Sequence, residues 1–144
     1  MSDDQKIREL QAEDLARLEA QRSVVEKFLA NDDSRRKYRA TAAGKLGTLR
    51  ALLDAGVFSP SQSYELQCLG IVLGDAFVLD LGFRWVMVED AYGIDPALQL
   101  KGTTLLLFPL TMISKRVERG EEVDVFDLYN WVSAEMERMK REGM

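Results

Sequence analysis

The chain has 144 residues, 47% apolar and 30% charged, with a formal net charge of -5, the composition of one globular domain rather than of a disordered, fibrous or membrane-embedded chain. The acidic balance argues against nucleic acid as a partner, because nonspecific binding there rests on clustered Lys and Arg. Histidine is absent, which removes Ser-His-Asp and Cys-His catalysis and the commonest transition-metal sites.

From Asp3 to about Ala30 no Gly or Pro interrupts the chain, and Ile7, Leu10, Leu15, Leu18, Val25, Phe28 and Leu29 recur every three or four residues. This spacing predicts a long amphipathic helix with a stripe of alternating charge on its other face. Asn31-Asp32-Asp33-Ser34 supplies cap side chains for a second helix, whose apolar positions Tyr38, Ala42, Leu46, Leu49 and Leu53 run to a stop at Gly56. The basic run Arg35-Arg36-Lys37-Tyr38-Arg39 reads as the solvated start of that helix, balanced by the two aspartates before it. Ser59-Pro60-Ser61-Gln62 opens a third, strongly apolar helix through Leu66, Leu69, Val72, Leu73 and Phe77 to Gly82. Within it Gly70 and Gly74 lie on one face, a spacing that predicts close approach of another backbone, and Cys68 reads as a small buried hydrophobe.

After Gly82 the texture turns β-branched and aromatic. Phe83–Glu89 is predicted to be a strand, Ala91–Pro96 a loop, and Ala97–Lys101 and Thr103–Phe108 two more strands. Leu110–Arg119 then forms a short helix ended by Gly120, and Asp124 caps a last helix carrying Val125, Leu128, Tyr129, Val132, Met136 and Met139 inward. Trp85 and Trp131 are expected in the core and Tyr92 at an exposed loop tip. The fold class that follows is α+β and helix-rich, with helices on a small antiparallel three-stranded meander whose apolar face is covered by the third and last helices. Residues 1–144 read as a single domain, with a helical pair over 1–58 and a helix, meander and two C-terminal helices over 59–144.

The segment from about Ser61 to Leu128 resembles a bacterial family, domain of unknown function 3806. The likeness is carried by Leu69-Gly70-Ile71-Val72-Leu73-Gly74-Asp75-Ala76, by Trp85-Val86-Met87-Val88-Glu89-Asp90-Ala91-Tyr92-Gly93-Ile94-Asp95-Pro96-Ala97-Leu98, and by Phe108-Pro109-Leu110-Thr111-Met112-Ile113-Ser114-Lys115-Arg116. It implies no activity, cofactor or catalytic residue.

The functional expectation is a non-enzymatic protein-binding domain, with an immunity protein that occludes the active site of a basic toxin as its specific form. Electrostatic complementarity is the rationale. Its contact residues would be Glu89, Asp90, Tyr92 and Asp95 on the loop, with Glu121, Glu122 and Asp124 as a second acidic group. Two other classes stand beside it. One is a scaffold subunit that forms a homodimer through a projecting N-terminal helix; the other is an enzyme using Asp75 or Asp80 with Glu89 and Lys101 around a divalent ion. No catalytic residue, cofactor or resident metal is assigned, although Glu89, Asp90 and Asp95 together offer oxygens of the kind a hard cation takes. The longest apolar run, Leu105–Leu110, is too short to span a bilayer, and the polar N-terminus and lone Cys68 lead to an expectation of a cytoplasmic protein with no membrane partner.

Overall fold

The computed structural model describes residues 5–143. These form six helices and one four-stranded antiparallel sheet in the chain order β1 (Lys6–Arg8), α1 (Ala12–Glu26), α2 (Asp32–Ala40), α3 (Ala42–Asp54), α4 (Ser63–Leu81), β2 (Phe83–Asp90), β3 (Gly93–Leu100), β4 (Leu106–Leu107), α5 (Met112–Glu118) and α6 (Val125–Arg141). The helix-rich α+β class is as expected. The meander is present as β2-β3-β4, and β1 adds a fourth strand on its outer edge, with Ile7 opposite Val88.

That strand corrects the long N-terminal helix. Lys6-Ile7-Arg8 has nothing local against helix, and only the free edge of β2, distant in sequence, makes it extended. Asp3 and Asp4, also assigned to that helix, lie outside the described residues. The helix proper starts at Ala12, where the Asp14 carboxylate accepts from the Gln11 backbone N–H at 2.9 Å. It packs along α4, burying Leu18 and Val25 while Leu15 and, just past its end, Phe28 stay exposed, so the helix does not project.

The expected second helix is two helices. Thr41 is extended, at φ -140° and ψ 156°, and its hydroxyl accepts from the Gly44 N–H at 2.9 Å, an N-cap that breaks the apolar periodicity and starts α3. Residues 5–58 therefore hold three helices and a strand in place of a helical pair.

α4 is the centre of the core: Cys68, Leu69, Ile71, Val72, Leu73, Ala76 and Phe77 are all fully buried. It begins at Ser63, since Ser59–Gln62 forms a turn closed by the Ser59 N–H on Gln62 Oε1. A β-carbon on Gly70 would lie 2.5 Å from the carbonyl oxygens of Pro109 and Leu110, and one on Gly74 would lie 2.5 Å from the Trp85 ring. The first glycine thus admits a backbone, as its spacing predicted, and the second admits an indole. Gly82, at φ 78°, ends the helix in the left-handed region and turns the chain into β2.

β2 and β3 pair over their full lengths, from Phe83 opposite Leu100 to Asp90 opposite Gly93, so the turn is only Ala91-Tyr92. The expected loop is mostly strand. Pro96 is accommodated opposite Met87 because β4 flanks β3 only at Leu98 and Gln99, leaving Pro96 on an edge where a missing N–H is tolerated. α4 and α1 cover one face of the sheet at Trp85 and Met87, whereas α6 packs on α3 and α4, which corrects its expected place over the meander. No helix among the described residues is long and apolar enough to cross a membrane.

Candidate functional site

The hairpin tip is as exposed as its sequence suggests. Asp90 Oδ1 accepts from the Tyr92 N–H at 2.8 Å, Gly93 takes φ 133°, and Tyr92 stands 97% exposed. Its carboxylates nevertheless diverge. Successive strand residues point to opposite faces, so Glu89, opposite Ile94, lies on one face of the sheet, and Asp90 and Asp95 lie on the other with Val88. Among the described residues no three His, Cys, Asp or Glu side chains converge as metal ligands.

The second acidic group is better assembled. Gly120, at φ 77°, ends α5 and reverses the chain, and the Glu121 N–H closes the turn on the Arg116 carbonyl at 2.9 Å. Asp124 Oδ1 caps α6 by accepting from the N–H groups of Phe126 and Asp127, both at 3.0 Å. The loop between them edges two hollows. One, of about 350 Å³, has a floor that includes Leu52, Phe58, Leu66 and Val117, with Asp54, Glu121 and Glu122 beside it. The other, of about 460 Å³, is shallower and is lined by Arg116, Glu122, Asp124, Asp127, Leu128 and Trp131. Glu122 belongs to both. Arg116 donates to the Met112 carbonyl at 2.7 Å, Arg119 lies 3.8 Å from Glu121 and Arg50 lies 3.8 Å from Asp54, so five carboxylates face three already engaged cations.

Trp131 at the edge of this surface is 62% exposed, which corrects its expected place in the core. Val125, Val132 and Met136 form the buried stripe of α6, and one step back from Val132 rotates a side chain by about 100° around the helix, off that stripe. Asp127 and Asp54 are acidic members of this face not singled out in sequence, and Trp131 was singled out but expected in the core. Trp131 and Asp127, four apart on the polar side of α6 beside the predicted Asp124 cap, were the available signal.

The carboxylate-lysine constellation is not brought together. Asp75 receives the Arg22 guanidinium at 2.7 and 2.9 Å and the Trp85 indole N–H at 2.9 Å. This side-chain hydrogen bond raises the guanidinium pKa further above its ordinary value. Asp80 accepts from the Tyr129 hydroxyl at 2.8 Å, and burial, with that carboxylate, pushes the phenol up. Glu89 and Lys101 sit at opposite ends of the hairpin, about 20 Å of strand apart. The buried Cys68 thiol is pushed up by desolvation, away from the thiolate a nucleophile needs.

No curated protein matches the chain. A solved crystal structure from Bacteroides thetaiotaomicron VPI-5482 has a similar fold, with a TM-score of 0.70 at 17% identity, covering 90% of this chain and 47% of that one. The chain thus spans about half the length of that neighbour. Residues 45–129, from within α3 to the second turn of α6, match the family model described as Domain of unknown function (DUF3806), and the chain belongs to that family.

Proposed function

We propose that this domain is a non-catalytic, cytoplasmic binding module that engages a basic protein surface through the α5–α6 face, in the manner of an immunity protein covering the cleft of a toxin. The observation that carries the reading is Trp131, 62% exposed beside Glu122, Asp124 and Asp127. An exposed indole in a hollow with three carboxylates and one arginine combines the anchor residue enriched in binding hot spots with a net negative field that steers a cationic partner. The adjacent hollow, apolar below and acidic above, suits a Lys or Arg side chain that buries its stem and leaves its charge at the rim.

The test starts with a photo-crosslinking residue at position 131 in the native host, followed by reconstitution of the captured protein with the purified domain. Trp131→Ala is expected to weaken that complex by at least tenfold, about 1.4 kcal/mol or more, through faster dissociation. Glu122→Lys with Asp127→Lys should slow association and reduce its dependence on salt. Charge reversal of Glu89, Asp90 and Asp95 should leave the complex unchanged. If the hairpin variant loses binding and the Trp131 variant keeps it, the face has been misplaced; if a bound partner with an enzymatic activity retains it in full, the immunity form of the reading fails.

A further inference from the structure

The basic run of α2 is used neither by the core nor by the acidic face, and its four cations are sorted by their position around the helix. Asp33 takes Arg36 and Lys37, the latter at 3.2 Å. Arg35 and Arg39, four residues apart and so on one face, instead line a cleft of about 300 Å³ between α2 and the end of α1, together with Glu26, Lys27, Leu29 and Tyr38. Leu29 and Tyr38 are buried and give the cleft an apolar floor.

Three cations therefore share this cleft with one carboxylate, in a chain whose net charge is -5. Among the described residues Lys27 and Arg39 have no ion pair, while Arg35 meets Asp32 at 3.2 Å and the Leu29 carbonyl at 3.4 Å. Asp32 is 99% exposed, and an ion pair so placed is weak. Like charges four apart on a helix repel, a cost that an anion between Arg35 and Arg39 removes. Two guanidinium forks suit phosphate, whose oxygens accept paired N–H bonds. The excess of positive over negative groups also matches the charge of about -1.5 to -2 on a phosphate monoester at neutral pH. The cleft is about twice the size of the roughly 150 Å³ cavity known to hold benzene, so a phosphoryl group leaves room for a small apolar group on Leu29 and Tyr38.

We infer that the α1–α2 cleft binds a small organic phosphate monoester, its phosphoryl group held by Lys27, Arg35 and Arg39 and its organic part laid on Leu29 and Tyr38. A free molecule is favoured over a lipid headgroup of the same chemistry, because an anionic bilayer repels a chain of net negative charge. The cleft lies apart from the acidic face and shares no lining residue with either of its hollows.

Phenyl phosphate, inorganic phosphate and vesicles containing phosphatidic acid are the probes, titrated into the full chain with arginine Nε–H and leucine methyl NMR as the readout. Phenyl phosphate should give saturable shifts at Arg35, Arg39 and Leu29 and bind about tenfold or more tightly than inorganic phosphate, and the vesicles should not sediment the chain. Arg39→Gln should weaken phenyl phosphate by about tenfold or more and leave the urea midpoint unchanged or raised, since it relieves the repulsion with Arg35. Arg36→Gln, which removes the same charge on the Asp33 side of α2, should change the affinity by no more than about twofold. No saturable shift with phenyl phosphate would overturn the inference. So would equal losses in the two variants, which mark a diffuse basic surface, and so would a less stable Arg39→Gln variant that binds as before, which makes Arg39 a structural cation. Equal affinity for inorganic phosphate would overturn the organic part of the ligand, and sedimentation with vesicles in place of phenyl phosphate binding would assign the cations to a lipid surface instead.

Discussion

The two flanks of α4 share apolar packing and differ in the polar contact added to it, a hydrogen bond on one and an ion pair on the other. Towards α3 and α6, Leu46 and Leu49 meet the buried side of α4, Phe77 stacks on Tyr129 with ring centroids 5.5 Å apart, and the Tyr129 hydroxyl donates to the Asp80 carboxylate. Towards α1 and β2 apolar packing, with Val25 fully buried, is joined by a carboxylate, Asp75, that links a guanidinium on one element to an indole on another. Burial of apolar area is non-directional and tolerates sliding, whereas a two-pronged Arg–carboxylate contact fixes distance and angle. Apolar burial therefore supplies the adhesion on both flanks, and on the α1–β2 flank the Asp75 contact also sets the register in which α1 and β2 meet α4.

The largest effect is expected on the α3–α6 flank, where Phe77→Ala removes a fully buried ring and should cost about 4 kcal/mol in urea unfolding. On the α1–β2 flank Asp75→Ala leaves the Trp85 N–H without its acceptor and Arg22 with Glu19 alone, both only partly accessible to water, and should cost about 3 kcal/mol. The comparison is sharpened by a double-mutant cycle with Arg22→Ala: a coupling of about 1 kcal/mol or more marks the ion pair as a unit. A coupling near zero would break the distinction between the flanks.

A smaller effect belongs to Asp14, whose carboxyl is held below its usual range first by the Arg8 hydrogen bond and next by the Gln11 N–H. Because the folded value is the lower one, its contribution is complete above the unfolded pKa of about 3.9 and is lost as pH falls through the folded value. Urea midpoints should accordingly decline below about pH 4, and Asp14→Asn should flatten that decline. An identical decline in the variant would assign the acid sensitivity to other carboxylates.

Much of this was legible in the chain, and the remainder depends on distant residues. The α4 glycines announced a close approach because a missing side chain has a local signature, though only the fold reveals that Gly74 faces an indole. Asp124 was legible as a cap for the same reason, its hydrogen bonds reaching only two and three residues ahead. β1 was not, because its three residues are strand only through the edge of β2. Thr41 could have been found as a cap, but the apolar period runs across it from Tyr38 to Leu46 and concealed the break. At the candidate site the acidic residues of the α5–α6 loop were visible as a cluster. Which acidic cluster gathers on one surface was not, since that depends on strand alternation at the hairpin and on the rotation of Trp131 about α6.

The pair of tryptophans has an optical consequence. Trp85 is half-buried, wedged against Gly74 and tied to Asp75, while Trp131 stands in water 62% exposed. Their emission should therefore resolve into a blue-shifted component that disappears when the core opens and a red-shifted one that responds when something covers α6. One unlabelled sample carries separate reporters for unfolding and for occupancy, and a Trp131→Phe variant isolates the first from the second.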